Sequence, residues 1–171
     1  MNKEQGDVVR LFIDTEFNDF FDCGLISIGI VSADGREFYA ERSDVDVLLC
    51  SDFARAAILP QLGSEPAIIG TEQDISSALR KWLAQFDQVE VCFDDPADFE
   101  WFYFLARDRK TLASLKRIKA RNICGELAAV DVERYWQENG RGAHYALHDA
   151  RANRFAFMCS IQATQGDPLI V

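Results

Sequence analysis

The sequence has no C-x-x-C pair and only two histidines, His144 and His148, so a structural zinc site has few ligands to draw on. Its five cysteines (Cys23, Cys50, Cys92, Cys124 and Cys159) are odd in number and scattered, mostly within apolar segments such as VEVCF and FAFMCS. That pattern reads as reduced thiols of a cytoplasmic protein, not as a disulfide framework. The opening MNKEQGD lacks the apolar run of a secretory signal, and no stretch approaches the length of a membrane span. A soluble chain with no membrane partner is expected. Internal repeats and low-complexity linkers are also missing, which favours one compact domain over residues 1–171, with 1–7 and 163–171 as tails. Basic residues are in the minority: 18 Lys and Arg against 28 Asp and Glu give a formal net charge of −10. Wrapping of long duplexes is disfavoured, because neutralisation of phosphates by Lys and Arg drives such binding. A short strand is still compatible, since carboxylates clustered on a metal count as acidic in the sequence and are neutralised by the cation.

What the chain does have is a 49% hydrophobic composition, enough for a substantial core. VVRLFID, residues 8–14, and LISIGIVS, residues 25–32, read as strands; Asp34-Gly35 then turns into a third strand, REFYA. Thr71 and Asp74 resemble a capping box, followed by Ile75, Leu79, Trp82, Leu83 and Phe86 at helical spacing. VEVCF predicts a fourth strand, and Asp95-Pro96 starts the helix ADFEWFYFLARD. RNICG predicts a short fifth strand, ELAAVDVERYWQEN a helix closed by Gly140, and HYALHDARANRFAFMCS the last helix. The expected architecture is α/β with a mixed sheet.

Three places carry candidate chemistry. Asp14 and Glu16 are two apart at the end of the first strand, so their side chains project from one face. In an acidic protein such a pair is ordinarily a solvated strand end. Asp98 sits in the first turn of a helix, where capping is the ordinary role and Asp94, Asp95 and Glu100 compete for it. His144 and Asp149 flank the start of the last helix; His148 is a rival, but as the residue next to Asp149 it points off that face.

Taken in order, these residues resemble the DEDDh superfamily of 3'-5' exonucleases. The strand-borne D-T-E, the Asp of D-D-P-A-D-F-E-W-F and the H-x-A-L-x-D-A pattern (His144, Ala146, Leu147, Asp149, Ala150) follow one another as that superfamily's motifs do. LFIDTEF together with LISIGIVSADGREFYA looks most like the small bacterial exoribonucleases called RNase AS. One position departs: Asp94 stands where many relatives carry Asn. The resemblance implies an RNase H-like fold, here with a mixed five-stranded sheet flanked by helices. It implies that Asp14, Glu16, Asp98 and Asp149 hold two divalent cations, with Asp14 bridging them and His144 as general base. It also implies a homodimer that trims the 3' end of single-stranded, adenylate-rich RNA to nucleoside 5'-monophosphates.

Elementary electrostatics agrees with the cation requirement. Carboxylates about 4 Å apart repel by several kcal/mol per pair at an effective dielectric of about 20, and all-oxygen ligands favour Mg²⁺ or Mn²⁺. Thr15, Phe17, Trp101 and Tyr145 lie beside the motifs and are candidate substrate contacts, as are Phe20 and Phe21; aromatic rings stack on bases, though each also suits a core. Residues 107–121 hold seven basic side chains against one acidic, either a footprint for a phosphate backbone or a solvated helix face. Two rival functions stand beside the exoribonuclease: a DNA exonuclease with the same metal site, and a non-catalytic nucleic-acid or partner-binding domain.

Overall fold

The computed structural model describes residues 8–19, 21, 23–107 and 118–165. Six strands form one sheet: β1 (Val8–Phe17), β2 (Leu25–Ser32), β3 (Glu37–Arg42), β4 (Ile68–Gly70), β5 (Gln88–Phe93) and β6 (Ile118–Asn122), in the order β4-β3-β2-β1-β5-β6. β1, β2 and β3 pair antiparallel, β4 joins β3 in parallel, and β5 and β6 extend the sheet in parallel beyond β1. The sheet is mixed as expected, but it has six strands and not five. The additional strand is β4, whose three residues are too short to display an alternation.

Four helices are described: α1 (Glu72–Leu83), α2 (Pro96–Ala106), α3 (Ala129–Asn139) and α4 (Ala146–Gln165). The Thr71 and Asp74 capping box opens α1, and Gly140, in the left-handed conformation at φ 67°, closes α3. The last helix runs further than expected, because no Gly or Pro interrupts residues 147–165; residues 163–165 therefore belong to α4 and not to a tail. Residues 1–7 and 166–171, the rest of the expected tails, lie outside the described residues. No described helix is long and apolar enough to cross a membrane.

Successive β1 side chains face opposite ways, and both faces are covered. Leu11 and Ile13 pack with Ile75 and Leu79 of α1 and Phe102 and Leu105 of α2, whereas Phe12 packs with Cys92 and with Phe157 of α4. Every residue of β2 is buried, as expected of a strand sandwiched between helical layers. The result is an α/β architecture compatible with the RNase H-like fold. Gly29 of β2 is the point of closest approach: a Cβ there would lie 2.3 Å from the Leu147 nitrogen and 2.4 Å from the Ala146 carbonyl atoms. Its missing side chain lets the start of α4 rest directly on the sheet.

Candidate metal-binding site

β1 and β5 run parallel, so their carboxyl ends meet at one edge of the sheet, where sites in α/β folds commonly open. β1 brings Asp14 and Glu16 there. Just past β5, Asp95 caps α2 by accepting from the Ala97 N–H at 2.8 Å, and Asp98 completes the capping box through the Asp95 N–H at 3.4 Å. The other oxygen of Asp98 accepts from the Thr15 N–H at 3.0 Å and the Thr15 hydroxyl at 2.6 Å. The competition among acidic residues at this helix start is thereby resolved: Asp95 caps, and Asp98 is tied across to β1.

Asp149 arrives from the first turn of α4. Its Oδ2 accepts from the backbone N–H groups of His144 (2.7 Å) and Tyr145 (3.2 Å), and its Oδ1 from the Trp136 indole at 2.9 Å. α3 is thus joined to the site through Trp136. Asn153, four residues beyond Asp149 and on the same helix face, donates from Nδ2 to Asp94 Oδ1 at 2.8 Å.

Two sets of carboxylates result. Asp14, Glu16 and Asp149 each offer an oxygen within 4.8 Å of the others, and so do Asp14, Asp94 and Asp98. Asp14 belongs to both. Burial raises its pKa well above the ordinary range, and Asp98, Asp149, Glu16 and Asp94 add to the rise. Burial, then Asp149 and Asp98, pushes Glu16 up to about 8. Asp98 rises to about 7 through burial, in spite of the Thr15 hydrogen bonds, and Asp149 to about 6 in spite of its three donors. Asp94 is also raised, chiefly by burial. Metal-free, the site holds its charge reluctantly. An all-oxygen donor set at these separations fits hard divalent cations such as Mg²⁺ or Mn²⁺.

The carboxylates floor a cleft of about 650 Å³, within the range of small-ligand pockets. Among the described residues, its lining includes Asp14, Glu16, Asp19, Asp94, Asp95, Asp98, Glu133 and Asp149, and neither Lys nor Arg. Ser51, Phe53 and Ile58 form one wall; Leu127, Ala129, Val132 and Trp136 form another. The first wall comes from the segment around the short 3-10 and π-helical turns Val47–Leu49, Ala54–Ile58 and Leu59–Gln61, with Ile58 inside the second and Phe53 capping it; the sequence reading leaves these turns unassigned. Trp136 and Asn153 are also missed, although each sits four residues from another cleft residue on its helix, Val132 and Asp149 respectively.

His144 lies at the rim, exposed, in the left-handed region at φ 72°. Its carbonyl accepts from Gln61 Nε2 at 2.7 Å and its ring meets Phe53 edge-on at 4.8 Å. Partial burial lowers its pKa below 6.5. His148 instead is buried, with Nε2 beside the Arg141 carbonyl at 3.1 Å, and does not line the cleft.

The expected substrate contacts divide. Phe17 and Thr15 line the cleft, but both Thr15 donors are committed to Asp98, so it positions a carboxylate and has no donor left for a substrate. Tyr145 is 1% exposed and its ring packs on Tyr39 at 4.9 Å, which leaves no face for a base. Trp101 is not among the cleft residues; its indole donates to the Cys23 carbonyl at 2.7 Å. Phe21 is fully exposed and away from the cleft lining, and Phe20 lies outside the described residues. So do residues 108–117 of the basic stretch; Arg121, at its described end, is paired with Glu126 at 2.8 Å.

No family model matches the chain. Among curated proteins it is similar to two 3'-5' exoribonucleases of Mycobacterium tuberculosis, from strains CDC 1551 / Oshkosh and ATCC 25618 / H37Rv, at 31% identity over 100 residues in each case. The alignment takes in 49% of this chain and 60% of each relative, so the chain spans less than two thirds of the length of the curated relatives it matches.

Proposed function

We propose that the chain is a divalent-cation-dependent 3'-5' exoribonuclease of the DEDDh type, acting on the 3' end of single-stranded RNA. The observation that carries this reading is the pair of carboxylate sets sharing Asp14, in a cleft whose described lining has no Lys or Arg. Such a cleft repels phosphate unless cations fill it, and a cation pair held there would suit in-line displacement at a phosphodiester. The similarity to two named exoribonucleases supports the same class. When bound, Mg²⁺ or Mn²⁺ supplies positive charge to the scissile phosphate and acidifies the attacking water.

The chain's own groups do the rest. Asp14, Glu16, Asp98 and Asp149 would hold the ions, and Thr15 and Trp136 orient two of those carboxylates. His144 faces the cleft with a lowered pKa, so its ring is neutral at pH 7 and takes the proton of the attacking water. Water oxygen adds to phosphorus and the bond to the 3' oxygen breaks. A nucleoside 5'-monophosphate leaves, and the freed 3' oxygen of the shortened strand takes a proton from solvent to become its new 3' hydroxyl. Phe17 and Phe53 offer rings at the cleft for terminal bases.

Hydrolysis of matched 5'-labelled oligo(A), oligo(U) and oligo(dA), with Mg²⁺ or Mn²⁺ and an Asp14→Ala control, tests the reading. A ladder shortening from the 3' end of RNA, faster on oligo(A) and absent in the variant, supports an adenylate-directed exoribonuclease. Preference for oligo(dA) makes it a DNA exonuclease, and no cleavage of any strand leaves only a binding role.

A further inference from the structure

Beyond the four acids of the motifs, we infer that Asp94 is a fifth carboxylate ligand of the cation pair, positioned by Asn153 and serving the ion shared by Asp14 and Asp98. The inference rests on the two-cation reading above and extends it to a residue that the motif pattern does not require. Three observations carry it. First, Asp94 offers an oxygen within 4.8 Å of those of Asp14 and Asp98, a separation one ion can span with carboxylates on opposite sides. Asp94 immediately follows β5 (Gln88–Phe93), at the parallel edge where β1 delivers Asp14, so its placement follows from the sheet itself.

Second, Asp98 has little coordinating capacity to spare. Its Oδ1 accepts both Thr15 donors, which leaves chiefly Oδ2, with its longer 3.4 Å contact to the Asp95 N–H, to face a cation, so a further anionic partner would strengthen the site. Third, the hydrogen bond from Asn153 does not call for a charge at position 94. An Asn there would accept the same bond through its own carbonyl oxygen, without adding a carboxylate to a partly buried acidic cluster. What Asp supplies over Asn is the negative charge, and a cation is the group that makes that charge favourable. Asn153 is 5% exposed and stands one helical turn beyond Asp149, so a single face of α4 serves both carboxylate sets: directly through Asp149, and through Asn153 holding Asp94.

The test is binding of Mn²⁺ alone to the purified chain, without RNA, followed by calorimetry and by electron paramagnetic resonance for magnetically coupled ion pairs. Wild type is expected to take two ions per chain with a coupled spectrum. Asp94→Asn, close to isosteric and able to keep the Asn153 bond, is expected to weaken the second ion at least about tenfold, leave the first nearly unchanged and lose the coupled signal. Asn153→Ala should weaken the same ion by a smaller factor. Two ions bound by Asp94→Asn as tightly as by wild type, with coupling retained, would overturn the assignment of Asp94 and leave the two-cation reading standing. Failure of wild type itself to bind Mn²⁺ would overturn both.

Discussion

Gly29 stands directly across the β1–β2 ladder from Asp14, and it is the residue on which the backbone of Ala146 and Leu147 rests. The glycine therefore sets the distance between two parts of the site: Asp14 on the sheet and Asp149 on α4. Gly29→Ala would put a methyl 2.3–2.4 Å from backbone atoms that have no rotamer to yield. The expected cost is about 1–3 kcal/mol of stability, roughly 2–4 °C in Tm per kcal/mol for a chain of this size. A fall in kcat/KM on the order of 100-fold should accompany it as α4 lifts. Wild-type kcat/KM in the variant would show that α4 does not depend on this contact.

Stability of the metal-free chain should depend on pH in a fixed direction. Folding raises Glu16 to about 8, Asp98 to about 7 and Asp149 to about 6, all above their unfolded values. For a raised carboxyl the unfolded state binds fewer protons, so stability is full below the unfolded pKa and is lost as pH climbs through the folded one. Thermal denaturation in a chelator should therefore give a Tm that falls from about pH 5 to about pH 8. Mg²⁺ should restore more at the upper end than at the lower. An equal Mg²⁺ effect at both ends would contradict this account.

Thr15→Val removes the 2.6 Å hydroxyl bond to Asp98 and keeps the backbone one. Hydrogen bonds to charged groups contribute about 1.5–3 kcal/mol, and outer partners of metal ligands typically alter cation affinity by about 10- to 100-fold. Mn²⁺ titration should show a loss in that range. If Thr15 served only substrate, cation affinity would stay unchanged and KM alone would rise.

Trp136→Phe keeps an aromatic wall but deletes the indole donor to Asp149. The expected outcome is weaker cation binding with little change in Tm, since Trp136 is only partly buried. A large drop in Tm with unaltered cation affinity would make Trp136 a packing residue.

His144→Ala should lower kcat by about 10²- to 10⁴-fold while cation binding persists. In wild type the rate should rise with pH through a value below 6.5, because the proposed role of His144 as base requires the neutral ring and burial lowers its pKa. That limb should vanish in the variant. An unchanged pH profile would assign the proton transfer elsewhere.

How much of this is legible in the sequence depends on how local each signal is. Asp14 and Glu16 are readable because a strand places residues two apart on one face, and Asp149 because it opens a long uninterrupted helix. Tyr145 shows the limit: it adjoins His144, yet the left-handed turn at φ 72° sends the imidazole to the rim and the phenol into the core. The wall containing Phe53 and Ile58 comes from short turns with no sustained period, and β4 is likewise too brief to announce itself. Asp94 reads in sequence only as a departure from the usual Asn. Its neighbours Asp14 and Asn153 come from elements distant in the chain, which only the folded sheet brings together.

The acidic cleft also bears on order of assembly. With eight acidic residues and no Lys or Arg along its described lining, the cleft opposes a phosphate backbone as firmly as it would attract cations. Under the proposed function, RNA and divalent ion are then not independent visitors. A strand reaching the cation-free chain should be turned away instead of held in a dead-end complex, and a chelator should release a bound strand as well as stop its hydrolysis.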